Sequence, residues 1–260
     1  MLKIENTKVE GWEPAIRGMR NPMNSWEKSD SGFATDSECC LYETISGDTI
    51  DYHAEGLHAI DPGYFKDPDN LGFFIGPNDR KLMQTLRDAG KDHAKYRRMI
   101  TVWVDITAPL YWWKEHDQYK VGTVTNSCST MHKIQAKEFT LDDFSHEHLD
   151  DHEDCVEDDD GCLYTSLGIL KLKIDALNYW RDRYNETKDK HAWYQMIQLL
   201  DSSYNQRRTV MLNYEVLANI YHSRRNHKLD EWHTFCDWIE GLPESWIITG
   251  KDPEEAEEAE

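Results

Sequence analysis

Hydrophobic and polar positions change period several times along this chain, and each change marks a new element. Residues 2–9 suit a short strand, and "GWEPAIRGMR" (11–20) shifts to helical spacing with Pro14 in its first turn. The stretch 22–78 loses any period and carries proline and glycine, so it reads as loops with short pieces of structure. "PNDRKLMQTLRDAG" (77–90) reads as a helix capped by Asn78 or Asp79, with Gly90 at its C-terminal end. "RMITVWVDI" (98–106) is β-branched and aromatic, hence a strand, and "APLYWWKEHDQYK" (108–120) starts a helix at Pro109. Residues 140–162 are acidic and without period, as in a solvent-exposed excursion. From 166 the chain is expected to be helical to near its end. Leu167, Leu170, Ile174, Leu177 and Tyr184 form a core stripe, followed by "HAWYQMIQLL", "RRTVMLNYEVLANIYHSRR" and "KLDEWHTFCDWIEGL". The pattern implies a mixed α+β (broadly α/β) fold with a mostly helical second half, in a single domain over 1–250.

Within "NYEVLANIYHSRR" (213–225), Asn213, Leu217, Ile220 and Arg224 share one stripe at about 100° per residue, with Asn219 on its flank. An amide or a guanidinium in apolar surroundings needs a partner, since burying it bare costs several kcal/mol. The partner can be protein or ligand, and the helix by itself leaves both open.

The formal charge of −20 comes largely from two appendages. Residues 142–160 hold eleven acids and no base, and the tail 252–260 holds six more. Without those seventeen, 32 acids face 29 bases, so the body is nearly neutral. Such appendages disfavour long nucleic acid yet permit a small anion in a local basic pocket. The tail is expected to be disordered. No apolar run reaches membrane-spanning length and no leader pattern opens the chain, so a cytoplasmic protein with reduced thiols is expected. The cysteines at 39, 40, 128, 155, 162 and 236 follow no framework.

Motifs with strong chemistry are missing: no GxSxG, Walker loop or GxGxxG occurs. The acidic loop lacks the spacing of a zinc or calcium site, so no metal is expected there. Cys128 with His132 could suggest a thiol nucleophile, but a lone Cys/His pair reads as packing, and no oxyanion or orienting partner can be named. "QYKVGTVTNSCST" (118–130) is small, hydroxyl-rich and amide-bearing. Such a loop suits phosphate and sugar hydroxyls, or is merely polar.

Set in order, these pieces resemble the flavin-dependent thymidylate synthase family. "VEGWEPAIRGMRNPMNSW" matches its opening strand and helix with an Arg-containing turn. "RKLMQTLRDAGKDH", "ITVWVDI" and "TAPLYWW" match its next helix, its Phe-Thr-Phe strand and its Ala-Pro helix start. Late in the chain, "LLDSSYNQRRTVMLNYEVLANIYHSRRNHKLDEW" keeps the family's Ser and Tyr, then Asn213, Asn219 and Arg224, then Glu231-Trp232. The Arg-His-Arg-x-x-Ser signature itself departs, becoming Gln118-Tyr119-Lys120-Val121-Gly122-Thr123. Beyond it Asn126 and Ser129 fall on the family's Asn and second Ser, while the phosphate-facing Arg becomes Met131.

The resemblance implies FAD as cofactor, with methylene-tetrahydrofolate and NADPH as co-substrates. It implies one-carbon transfer to C5 of dUMP or a related pyrimidine nucleotide, in a homotetramer. A divergent nucleotide-modifying enzyme or a non-catalytic relative is the alternative. On this resemblance His93, Lys120, Asn213 and Asn219 face the flavin, and Thr123, Asn126, Ser129 and Arg224 face the nucleotide. Two lost guanidiniums matter, because bidentate phosphate contact is an Arg property that Lys only partly replaces. Lys114, Lys133, Arg207 and Arg208 are the candidate compensating cations.

Overall fold

The structure is a computed structural model that describes residues 2–34, 41–44, 49–51, 66–67, 70–71, 73–152 and 155–251. In chain order its elements are β1 (Lys3–Glu10), α1 (Trp12–Arg20), β2 (Gly32–Ala34), β3 (Leu41–Thr44), β4 (Thr49–Asp51), β5 (Lys66–Asp67), β6 (Asn70–Leu71) and β7 (Phe73–Phe74). Then follow α2 (Pro77–Asp88), β8 (Thr101–Pro109), α3 (Leu110–His116), β9 (Val124–Ser127), β10 (Cys155–Glu157) and β11 (Leu163–Thr165). The last are α4 (Ser166–Thr187), α5 (Lys190–Leu199), β12 (Asn205–Asn213), α6 (Tyr214–Arg224), α7 (Asp230–Glu240) and α8 (Trp246–Thr249). The main sheet runs β1-β8-β12-β9, and a smaller antiparallel sheet runs β4-β3-β2-β7. This is the expected mixed α and β architecture. Among the described residues no helix is long and apolar enough to cross a membrane. The acidic tail lies outside the described residues.

One expectation fails in an instructive way. The chain is not helical from 166 to its end, because β12 interrupts it as an inner strand of the main sheet. Gln206, Val210 and Leu212 are buried while Arg207 and Thr209 are exposed, the period-two signature of a half-buried strand. Two arginines beside "TVML" resemble the flank of an amphipathic helix, although Arg207 faces outward and Arg208 lies on the covered face of the strand.

The chain divides into two compact units. The first comprises Met1–Asn6, Val104–Lys120 and Thr125–Val210. Its core is the α4–α5 hairpin, where Leu170, Ile174, Leu177 and Met196 close over Ile134, Phe139 and Phe144. Leu167 and Tyr184 of the expected stripe are only half buried. Thr165 caps α4 by accepting from the Gly168 amide at 3.0 Å. The acidic excursion is anchored at one end: Thr140 and Asp143 form a reciprocal cap, and Phe144 drops into the core at 1% exposure. Its far part folds back as the β10–β11 hairpin, with Val156 opposite Tyr164.

The second unit comprises Thr7–Trp103, Val121–Val124 and Met211–Glu260. Helix α1 buries Trp12, Ala15, Ile16 and Met19, and the Trp12 ring meets Tyr214 edge-on at 5.4 Å. Gly11 has φ +95, and a Cβ there would lie 2.2 Å from the Met99 carbonyl oxygen, so only glycine fits. Helix α2 is capped differently from expectation. Neither Asn78 nor Asp79 caps it; Asp30 does, accepting from the amides of Asn78 at 2.8 Å and Asp79 at 3.1 Å. Asp79 is instead fully buried, paired with Arg20 at 2.6 Å and accepting from Ser29 and Ser31 hydroxyls. Gly90 follows the helix end with φ +99, as a C-terminal glycine should.

Candidate functional site

Helix α6 carries Asn219 and Arg224 of the expected residues, with Asn213 at its cap, and its start is fixed by local chemistry. Asn213 is not on a helical stripe: it ends β12 with extended backbone, and its Oδ1 accepts from the Val216 amide at 3.0 Å. That is an N-cap, so the oxygen is committed and the Nδ2 end is the donor. The donor lies beside Gly122. At φ +81, a Cβ on Gly122 would come 3.0 Å from Asn213 Nδ2 and 3.2 Å from Val216 Cγ2. The glycine of the altered signature thus lies on the cap of α6. Next to it, the hydroxyl oxygen of half-buried Thr123 is covered and has no hydrogen-bond partner among the described residues.

Two turns along α6, Asn219 borders a cleft of about 300 Å³. Lys91 donates from Nζ to Asn219 Oδ1 at 2.7 Å, which again makes the NH2 end the donor. Arg87, Lys91 and Arg97 all line this cleft, with His222 and the backbone of Gly90 and Gly250. Arg97 is 7% exposed, pairs with Glu215 at 2.8 Å and donates to the Ile247 carbonyl at 3.3 Å. Its Nε is buried and has no hydrogen-bond partner among the described residues. Arg87 stacks over Trp246 at 5.4 Å and donates to Asp88, whose side chain is 64% exposed, at 2.8 Å. Burial holds the His222 imidazole below its ordinary pKa, and Arg225, Arg97 and Lys91 add repulsion. His93 is exposed on the turn after Gly90, two residues from Lys91, but does not line the cleft.

Arg224 is half buried and spreads its guanidinium over the Trp232 ring at 4.9 Å. Asn213, Asn219 and Arg224 therefore each have a protein partner, which answers why a largely buried helix tolerates them.

Lys120, Asn126 and Ser129 belong to the first unit. Lys120 and Asn126 are exposed. Ser129 accepts from the amides of Met131 at 3.2 Å and His132 at 2.9 Å, so it shapes a turn. It also lines a cleft of about 310 Å³ shared with Lys137, Asp143, Tyr204 and Asn205. The Asn205 amide oxygen is buried and without a hydrogen-bond partner among the described residues. Arg207 and Arg208 are already engaged. Arg207 pairs with Asp105 at 2.8 Å and Glu5 at 3.6 Å. Arg208 pairs with Asp117 at 2.8 Å and lies over Trp113 at 4.1 Å. Hydrogen bonds from Thr209, Asn6 and Arg207 hold the Asp105 carboxyl near 2.

Sequence reading missed the cleft cations. "RDAGKDHAKYRR" is visibly basic, but no phosphate motif marks it, and only the fold brings Arg87, Lys91 and Arg97 to one cleft.

No family model matches this chain, and no curated protein matches it by sequence. Solved structures do. A thymidylate synthase X of Helicobacter pylori, crystallised with FAD and dUMP, aligns over 96% of this chain and 97% of its own, at 14% identity and a TM-score of 0.58. A second structure, a flavin-dependent thymidylate synthase from the same organism complexed with FAD and dUMP, covers 94% and 97% at 14% identity and a TM-score of 0.56. The chain has a fold similar to theirs, over almost its full length.

Proposed function

We propose that the protein binds FAD and a pyrimidine nucleotide such as dUMP, and transfers a one-carbon unit to the pyrimidine C5. Methylene-tetrahydrofolate is the carbon donor in this reading, NADPH the source of reducing equivalents, and the assembly a homotetramer. The observation that carries it is the state of the two α6 amides. Asn213 and Asn219 each have their oxygen engaged by the protein, so each offers a fixed N–H donor. Paired donors suit the carbonyl and ring-nitrogen acceptors of an isoalloxazine or a uracil. The likeness of fold to proteins crystallised with FAD and dUMP supports the same reading.

The residues fit such ligands on physical grounds. A covered Thr123 hydroxyl and a buried Arg97 Nε without hydrogen-bond partners each cost about 1–3 kcal/mol, which an acceptor on a ligand would recover. Bound FAD, once reduced, supplies the hydride that completes the transferred carbon. The chain's own work is to orient and to exclude water. The cap fixes Asn213, Lys91 fixes Asn219, and Gly122 lets the 121–124 loop lie close to both Asn213 and Val216. Arg224, held flat by Trp232, presents its edge to a nucleotide. His93 and Lys120 meet the flavin, and Thr123, Asn126 and Ser129 the nucleotide.

A second reading, a non-catalytic flavin and nucleotide binder, is favoured by one observation. Arg207 and Arg208 are tied to carboxylates, so neither stands in for a missing signature arginine. One experiment separates the two. The protein is reconstituted with FAD, desalted, and incubated with NADPH, methylene-tetrahydrofolate and dUMP or dCMP, with products identified by mass. Retained flavin and a methylated nucleotide are expected. Flavin without product supports the binder, and no retained flavin overturns both.

A further inference from the structure

The altered signature poses a chemical problem: its ligands carry phosphates, yet only Lys120 survives of three cations. The cationic cleft offers a solution from another part of the chain. Its lining includes Arg87, Lys91 and Arg97, and no carboxylate among the described residues. Among the described residues, the acid that binds a cleft cation from the buried side is Glu215, which pairs with Arg97. Lys91 is bound to a neutral amide, which leaves its charge uncompensated. Among the described residues Arg87 is matched by Asp88 alone, a well-exposed neighbour on the helix surface. The Arg97 Nε is a buried donor with no acceptor among the described residues. At Gly90 and Gly250 no atom of the described residues stands within 4 Å of where a Cβ would lie. The volume, about 300 Å³, is at the small end for a ligand site and has room for a diphosphate.

The geometry points to this cleft as a phosphate subsite, in which Lys91, Arg87 and the Arg97 Nε grip a phosphoryl group of the bound flavin or nucleotide. The inference rests on the flavin and nucleotide reading only for the identity of the molecule that carries the phosphate. Surplus positive charge in a partly covered cleft is what a phosphoryl group neutralises best. Anchoring the phosphate beside Asn219 also sets the distance at which the rest of the ligand lies along α6.

The test uses the full chain, in which Lys91 is exposed and can be changed without disturbing the core. Wild type, Lys91→Ala, Lys91→Arg and the control Lys81→Ala, which removes a charge on α2 outside the cleft, are titrated with four ligands. FAD is compared with riboflavin, and dUMP with deoxyuridine. A preference of about tenfold or more for FAD over riboflavin is expected in the wild type and in Lys81→Ala. That preference collapses in Lys91→Ala and is largely restored in Lys91→Arg. The same pattern for dUMP over deoxyuridine would instead assign the subsite to the nucleotide. Preferences unchanged in Lys91→Ala would overturn the phosphate subsite while leaving the functional reading intact. If neither FAD nor dUMP binds, the functional reading fails, and a separate arm decides the cleft. There, pyrophosphate is titrated while the His222 ring resonances are followed. A shift present in wild type and lost in Lys91→Ala upholds the subsite; no shift overturns it.

Discussion

Asn213 does two jobs with two ends of one amide, and a single substitution can part them. Its oxygen caps α6 at 3.0 Å while its nitrogen lies beside Gly122. Asn213→Ala removes both ends and should lower stability by about 1 kcal/mol, the ordinary worth of an N-cap. Asn213→Asp keeps a capping oxygen but abolishes the donor. Its unfolding midpoint should stay near wild type while FAD affinity falls, as read by thermal unfolding beside a flavin titration. Equal FAD affinity in Asn213→Asp and wild type would remove Asn213 from the site. The sequence reading expected partners for Asn213 and Arg224 as polar groups on one apolar stripe, whereas Asn213 ends β12 and caps the helix. The sequence could not show which partners, since Trp232 and the Val216 amide become neighbours only through helix geometry.

Among elements, α2 shows how a cap can come from afar. Both Asn78 and Asp79 are good N-cap types, so local sequence favours them, yet Asp30 takes the position. The reason is Arg20: a guanidinium at 4% exposure requires a carboxylate, and Asp79 supplies it inside the fold. Asp79→Ala should therefore cost about 3–5 kcal/mol, as stranding a buried charge does. Asp30→Ala should cost about 1 kcal/mol, as losing a cap does. Urea unfolding of the two variants measures the gap, and equal losses would contradict this division of labour. Strand β12 fails to show in the sequence for a related reason. Its arginines, Arg207 outward and Arg208 on the covered face, answer Asp105 and Asp117, far away in sequence, so its polarity pattern makes sense only beside β8 and α3. Strands β1 and β8 and helices α1, α4 and α7 follow from period and turn residues alone.

At the scale of the whole molecule, stability against acid should carry the mark of one histidine. His116 is 1% exposed and stacks on Trp112 at 5.0 Å, and burial pushes its pKa down to about 4. The folded state therefore refuses a proton that the unfolded chain accepts below about 6.5. The stabilising effect of a neutral His116 is whole above that pH and is lost as pH falls towards 4. Its full size is about 3 kcal/mol. Urea unfolding between pH 7 and 4 should show His116→Leu losing less stability than wild type by roughly that amount; parallel curves would refute the assignment. The general fold was legible because hydrophobic period reports elements, and the order of elements reports a family resemblance. The cationic cleft was not, since charge on a surface helix reads as a solvated face until the chain closes around it. The Asp30 cap has a last consequence, in time rather than in energy. The start of α2 is fastened across 48 residues of sequence and its Asp79–Arg20 pair across 59, so neither fastening exists until those loops have closed. Helix α2 can flicker early, but it becomes permanent only with the assembly of its unit, and the turn that carries Lys91 and His93 inherits that late arrival.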